Sequence, residues 1–335
     1  MQRPFLLNFI LLAAALVLSV AVGAVFVPPD LLARALLARG MGFAVPVEWT
    51  KTFEAIVFKI RLPHTALIAL SGMALAGSGA AYQGLFRNPL ADPYLIGVAS
   101  GASLGAVMAM SLGWSASSLG MFAIPAAAFI ASLLTVAIVY TLAYSGRSTP
   151  NTTLILAGVA VSSFTTALTS FLMLRSQGEL HRAIAWLMGG GVLSGWPPVW
   201  SVLPYVVIGL GALFSMGHAL NVLQFGEEQA QQLGLAVGRS RIIIILAASL
   251  ATAAAIAFSG VIGFIGLIVP HVARILWGSD YRRLIPLSTL GGATVLLLAD
   301  LFARTVMAPQ ELPVGMITAL AGAPFFLWVL KTTDR

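Results

Sequence analysis

Gly226-Glu-Glu-Gln-Ala-Gln-Gln-Leu-Gly234, followed by Arg239, Arg241 and then the apolar run 242–258, decides how this chain is read. The first part is a polar island, and the second is long and greasy enough to belong in a bilayer. A membrane protein keeps such an island for a partner in the aqueous phase. Nowhere does the chain carry a Gly-x-x-x-x-Gly-Lys-Ser/Thr phosphate loop, so it has no recognisable nucleotide-hydrolysing machinery. Energy for any work it does comes from outside.

Of its 335 residues 59% are hydrophobic and 9% charged, against roughly 25% charged in a soluble domain. Crossing about 30 Å of hydrocarbon takes roughly 20 residues at 1.5 Å each. Runs of that kind lie near 5–27, 62–83, 94–113, 119–144, 153–174, 199–220, 242–258, 261–277, 284–303 and 313–330. Outside a closed barrel, backbone in lipid satisfies its hydrogen bonds only as helix. The fold class is therefore all-α and polytopic, about ten transmembrane helices in one bundle, with residues 1–335 forming a single domain. The first run follows Arg3 and ends near Ala21-Val-Gly-Ala24, a mock cleavage site, but exceeds the usual apolar core of a signal peptide and is read as a span.

The chain has no cysteine, which excludes disulfides, thiolate metal sites and thiol catalysis. Its net charge of +7 is spread over the loops, which argues against nucleic acid and for anionic lipid and acidic protein surfaces. With ten spans both termini share a side. Placing them in the cytoplasm puts Arg3, Arg87, Arg147, Arg239, Arg241, Arg274, Arg282, Arg283, Lys331 and Arg335 there, and leaves Arg34, Arg39, Lys51, Lys59, Arg61, Arg175, Arg182 and Arg304 outside. The bias is small but has the expected sign.

Two outside segments carry pattern of their own. The loop 28–59 holds Leu31-Leu-Ala-Arg-Ala-Leu-Leu37, an amphipathic surface helix, and 175–198 holds His181-Arg-Ala-Ile-Ala-Trp-Leu187, an interfacial one. Gly97, Gly101 and Gly105 recur every four residues, sharing a face that lets a neighbouring helix approach. The stretch from Gly101 to Gly105 also matches Gly-x-Ser-x-Gly formally, but nothing around it supplies the strand, acid and histidine of a hydrolase. Asp300 and Arg304, four apart, can pair along a helix, and His271 after Pro270 reads as a packing histidine.

Three segments together resemble the FecCD family of permease subunits from bacterial ABC importers of iron-siderophores, haem and cobalamin. One runs from Arg61-Leu-Pro-His64 through Gln83-Gly-Leu-Phe-Arg-Asn-Pro-Leu-Ala-Asp-Pro93 to Gly97-Val-Ala-Ser-Gly-Ala102. Another is the island, with Gly260-Val-Ile-Gly-Phe-Ile-Gly-Leu-Ile-Val-Pro-His271 after it. The third is Ala299-Asp-Leu-Phe-Ala-Arg304, then Glu311-Leu-Pro-Val-Gly315 and Gly322-Ala-Pro324.

The resemblance implies a type II ABC importer permease fold in the inner membrane. Its implied partners are a second permease copy, two cytoplasmic ATPase subunits that use ATP, and an extracytoplasmic substrate-binding protein. The chain itself would be no enzyme and bind no cofactor or metal. Within about 224–241 it implies coupling helices that engage the ATPase. There Glu227 and Glu228 suit a helix N-terminus, Gln229 and Arg239 add polar surface, Ala230 offers a small contact, Leu233 a knob and Gly234 a left-handed stop. Arg61 and Arg304 match basic residues that hold the binding protein at the water-exposed outer rim. His64 stands where some members carry arginine, which would make that contact weaker or pH-dependent. Asn88 and Leu90, with Asn151 and Thr152, match the cytoplasmic gate. Asn88-Pro89 also reads as a plain turn, and Pro150-Asn151 as a helix start. The rival reading, a secondary transporter driven by a cation gradient, needs acidic or polar groups at mid-membrane, and the spans offer little beyond Asp300, which sits near an end.

Overall fold

The computed structural model describes residues 3–23, 26–41, 54–114, 120–144, 150–175, 178–191 and 194–333. Lys51, Arg147, Arg335 and the side chain of Arg39 lie outside the described residues. In chain order the helices are α1 (Arg3–Ala21), α2 (Pro29–Met41), α3 (Leu62–Phe86), α4 (Val98–Ser111), α5 (Ala123–Ala143), α6 (Asn151–Arg175) and α7 (Leu180–Leu187). They continue as α8 (Trp196–Ser215), α9 (Gly217–Leu223), α10 (Glu227–Gln232), α11 (Val237–Ser259), α12 (Ile265–Trp277), α13 (Tyr281–Thr305) and α14 (Val314–Thr333). Every apolar run falls on a helix, and α2 and α7 are the two surface helices expected outside the spans. Among the described residues seven helices are long and apolar enough to cross a membrane, and Val98–Ser111, Ile265–Trp277 and Val314–Val329 are shorter apolar ones.

The bundle is built around α3, which α13, α11, α12, α8 and α1 surround. Almost every residue from Leu67 to Phe86 is buried, so α3 shows no polar face and no amphipathic period. Its small residues set how closely the neighbours come. A Cβ on Gly72 would lie 2.4 Å from the Gly292 carbonyl oxygen of α13, and one on Gly79 would lie 1.9 Å from the Gly266 carbonyl oxygen of α12. Dispersion contact and close backbone approach drive such packing in lipid, where burial of grease gives no advantage. Gly97, Gly101 and Gly105 do the same for α4, all three facing Thr135 or Ala127 of α5.

Two spans are interrupted, which the apolar pattern did not announce. Before α4, Asp92 caps a 3₁₀ turn over Pro93–Ile96 by accepting from the Tyr94 amide at 2.8 Å, and Gly97 turns the chain at φ 85°. Before α12, residues 260–264 run non-helically, with Gly260 at φ 78° and Phe264 at φ 68°, an uncommon conformation for so bulky a side chain. The Tyr94 hydroxyl donates to the Ile262 carbonyl at 2.6 Å, so one break supports the other.

Candidate functional site

The polar island folds as the sequence suggests and faces differently. Gly226, at φ 106°, turns the chain into α10, and Gly234, at φ 83°, ends the segment as the left-handed stop. Glu228, Gln229, Gln231, Gln232, Leu233, Gly234 and Arg239 are exposed. Ala230 is not: it is fully buried among the chain's own helices, which corrects its reading as a contact offered to a partner. A helix of under two turns turns its smallest residue inward because only a methyl fits beneath it. The surface that remains for a partner is carried by Phe225, 66% exposed, and Leu233, 68% exposed, at either end of the polar turns.

The island is tied to the bundle by polar side chains. Glu227 forms an ion pair with Arg241 of α11, whose guanidinium also donates to Asn151 Oδ1 at 3.3 Å. Asn151, at the start of α6, donates in turn to the Leu85 carbonyl at 3.2 Å, and Gln224 donates to the Gly84 carbonyl at 3.0 Å. Thr152 beside it is exposed. Asn88 is exposed and accepts from the Leu90 amide at 2.9 Å, the turn anticipated for Asn88-Pro89, with Leu90 half-buried. Asp280 caps α13 and binds the Asn221 amide at 2.6 Å, which joins α9 to the same end. Hydrogen bonds from Arg282 and Asn221 hold its carboxyl down at about 2, so this cap stays ionised throughout the physiological range.

At the opposite end Arg61, His64 and Arg304 converge, but as interior groups. Arg61 is buried and donates to the carbonyls of Val20 at 2.8 Å and Ala21 at 3.2 Å at the end of α1. Arg304 Nε donates to Asp300 at 2.8 Å and its Nη2 to Ser19 Oγ at 3.2 Å, while His64 Nε2 lies 3.0 Å from the same carboxylate. This corrects the picture of a water-exposed rim: Asp300 is 5% exposed, Arg304 and His64 are drawn in against it, and Arg61 is turned inward to the carbonyls of α1. All four side chains line one cavity of about 460 Å³, whose wall also includes Ser194 and Glu311. Asp300, at a helix end, is already paired with Arg304 and His64.

A second cavity, about 660 Å³, opens where α6 shows its outer face, and is lined by Asp92, Tyr94, Ser162, Ser163, Thr166 and Gly263 among others. Non-helical backbone at membrane depth survives only inside protein or beside water, and Gly263 and Phe264 border this cavity. Asp92, Tyr94, Arg241 and Phe225 were not read as site residues. For Asp92 the signal was present in Asp92-Pro93; for Arg241 its place beside Arg239 was not enough to show that it points inward. His271 packs edge-on to Phe325 with ring centroids 6.4 Å apart, as a packing histidine does.

The model of the FecCD transport family matches residues 11–332. Over 99% of this chain and 90% of the other, 42% of residues are identical to the cobalamin import system permease protein BtuC of Halobacterium salinarum. The hemin transport system permease protein HmuU of Yersinia pestis is 40% identical, over 82% of this chain and 83% of its own. Among solved structures, one described as a metal-chelate type ABC transporter, in an inward-facing conformation, superposes with a TM-score of 0.85 at 29% identity, covering 99% of this chain and 100% of that one. With ten apolar runs on helices, a fold shared over 99% of the chain and a family match over residues 11–332, this chain belongs to the FecCD transport family.

Proposed function

We propose that the chain is the membrane-spanning subunit of an ATP-driven importer that carries a metal chelate, of the siderophore, haem or corrinoid kind, across the bacterial inner membrane. The observation that carries this reading is the island: a polar helix, pinned by Glu227 and Gln224, that leaves Phe225 and Leu233 uncovered in water. Burying each such side chain gains about 1.5–3 kcal/mol, which suits a surface made to be covered by a separate ATPase subunit. The cytoplasmic side is then the island end, with both termini on it.

A second copy laid over α6 would close the open 660 Å³ cavity into a path whose walls include Ser163 and Thr166. Arg61, His64 and Arg304 would meet a binding protein through the mouth of the other cavity, with Glu311 beside them, rather than across a flat charged rim. The chain itself would hold no cofactor, since ATP is bound and split by the partner. Substrate choice rests with the binding protein.

The test is co-expression with an ATPase subunit of the same kind. The purified chain should hydrolyse no ATP, and the assembled complex should hydrolyse it at a rate that a cognate binding protein alters. Hydrolysis by the chain alone, free of contaminating ATPase, would remove this reading.

Ala230→Trp should uncouple the complex for a reason the burial makes plain. Overfilling a packed site typically costs about 1–3 kcal/mol, here by lifting α10 off its seat while the spans stay folded. Co-purification of the ATPase subunit should drop sharply at an unchanged melting temperature of the bundle. Wild-type assembly and uptake in Ala230→Trp would mean that α10 is an ordinary loop turn.

A further inference from the structure

We infer that Arg241 is a positioning residue that passes movement of α10 to the start of α6, an inference that rests on the importer reading above. Arg241 stands in the second turn of α11 with its side chain only 4% exposed, and its Nη2 serves two elements at once. One is Glu227 in the first turn of α10, and the other is Asn151 Oδ1, 3.3 Å away at the first residue of α6. Asn151 is held from its other side, because its Nδ2 donates to the Leu85 carbonyl in the last turn of α3. A single guanidinium therefore joins the partner-facing helix, the helix end carrying Thr152, and its own span.

The chemistry explains why arginine stands there. Its Nη2 carries two N–H donors fixed in the guanidinium plane, so one can hold the carboxylate and the other the amide oxygen in set directions; a lysine ammonium has freely rotating donors on a flexible stem and no such plane. A buried guanidinium stripped of its carboxylate is costly. When α10 is pushed or pulled, Arg241 follows Glu227 and draws the Asn151 end of α6 with it through their hydrogen bond. The tether to Leu85 makes α3 the fixed point against which the α6 end moves. The path is short, running through one ion pair and two hydrogen bonds. The competing explanation is that the pair merely seats α10.

The test uses the full complex with its ATPase and binding protein. Arg241→Lys keeps the charge facing Glu227 and loses the fixed pair of Nη2 donors that links it to Asn151. It should assemble and hydrolyse ATP within about 2-fold of wild type, while cargo moved per ATP falls at least about 10-fold. Hydrogen exchange adds a readout that a purely structural role would not move. On ATP binding the wild-type complex should change protection at both 227–233 and 151–156; Arg241→Lys should keep the first change and lose the second. Asn151→Ala, which leaves the Glu227–Arg241 pair whole, should show the same separation and decides the matter if Arg241→Lys fails to assemble. Wild-type cargo per ATP with a preserved change at 151–156 in either variant that assembles overturns the relay. So does loss of the change at 227–233 along with that at 151–156, which would leave Arg241 as a seat for α10. Failure of the wild-type complex to couple ATP to uptake would instead count against the importer reading itself.

Discussion

Gly79→Leu should leave almost no folded protein. Even a methyl group at this position would sit 1.9 Å from the Gly266 carbonyl oxygen and 2.6 Å from its Cα, backbone atoms with no rotamer to yield. Overpacking against movable side chains already costs about 1–3 kcal/mol, and a whole domain is stable by only about 5–15 kcal/mol. Here α3 and α12 would have to separate at the centre of the bundle, where α3 also contacts α13, α11 and α8. Size-exclusion profiles of detergent-solubilised protein after graded heating give the comparison. Gly211→Leu is the control, since a Cβ there meets nothing within 4 Å and the residue is exposed on α8. Equal melting of the two variants would show that the close approach is not what holds α3 in place.

The other large effect is expected at Asp300. Its carboxylate is 5% exposed and holds Arg304 at 2.8 Å and His64 at 3.0 Å, so it ties α13 to the start of α3, and Arg304 extends the tie to Ser19 on α1. Asp300→Ala leaves a mostly buried guanidinium without its acid, a change that costs about 3–5 kcal/mol in comparable buried pairs. Replacing all partners by apolar groups removes the stranded charge and should recover most of that loss. The prediction is a marked fall in melting temperature for Asp300→Ala, and a milder one for Asp300→Leu combined with Arg304→Met and His64→Leu. A single variant as stable as wild type would mean that water reaches the cluster freely. The exposed-rim reading of Arg304 would then be right after all.

Length and greasiness place all ten apolar runs on helices and, among the described residues, seven on helices long enough to cross, because hydrocarbon thickness fixes how many apolar residues a span needs. The interrupted spans are different. Asp92-Pro93 and Gly260 carry the punctuation, yet the left-handed Phe264 depends on packing against Gly322, which lies far along the chain. At the island the glycine turns and the acidic first turn are local and readable. The inward face of Ala230 is not, since a helix this short has no period to reveal which side meets the bundle. The same limit applies to charge: Asp300 and Arg304 are four residues apart and visible as a pair, whereas His64 comes to them across 236 positions and Arg241 reaches Asn151 across 90. Such contacts are made by the fold and leave no spacing in the sequence.

The most direct measurement is uptake of labelled cobalamin, haem or a ferric siderophore into vesicles holding this chain, an ATPase subunit and a cognate binding protein. The account predicts that uptake of the cognate cargo needs ATP on the side of the island, stops when the ATPase or the binding protein is withheld, and is unchanged when proton and sodium gradients are collapsed. Uptake by the chain alone, driven by an imposed proton or sodium gradient and indifferent to ATP, would contradict it.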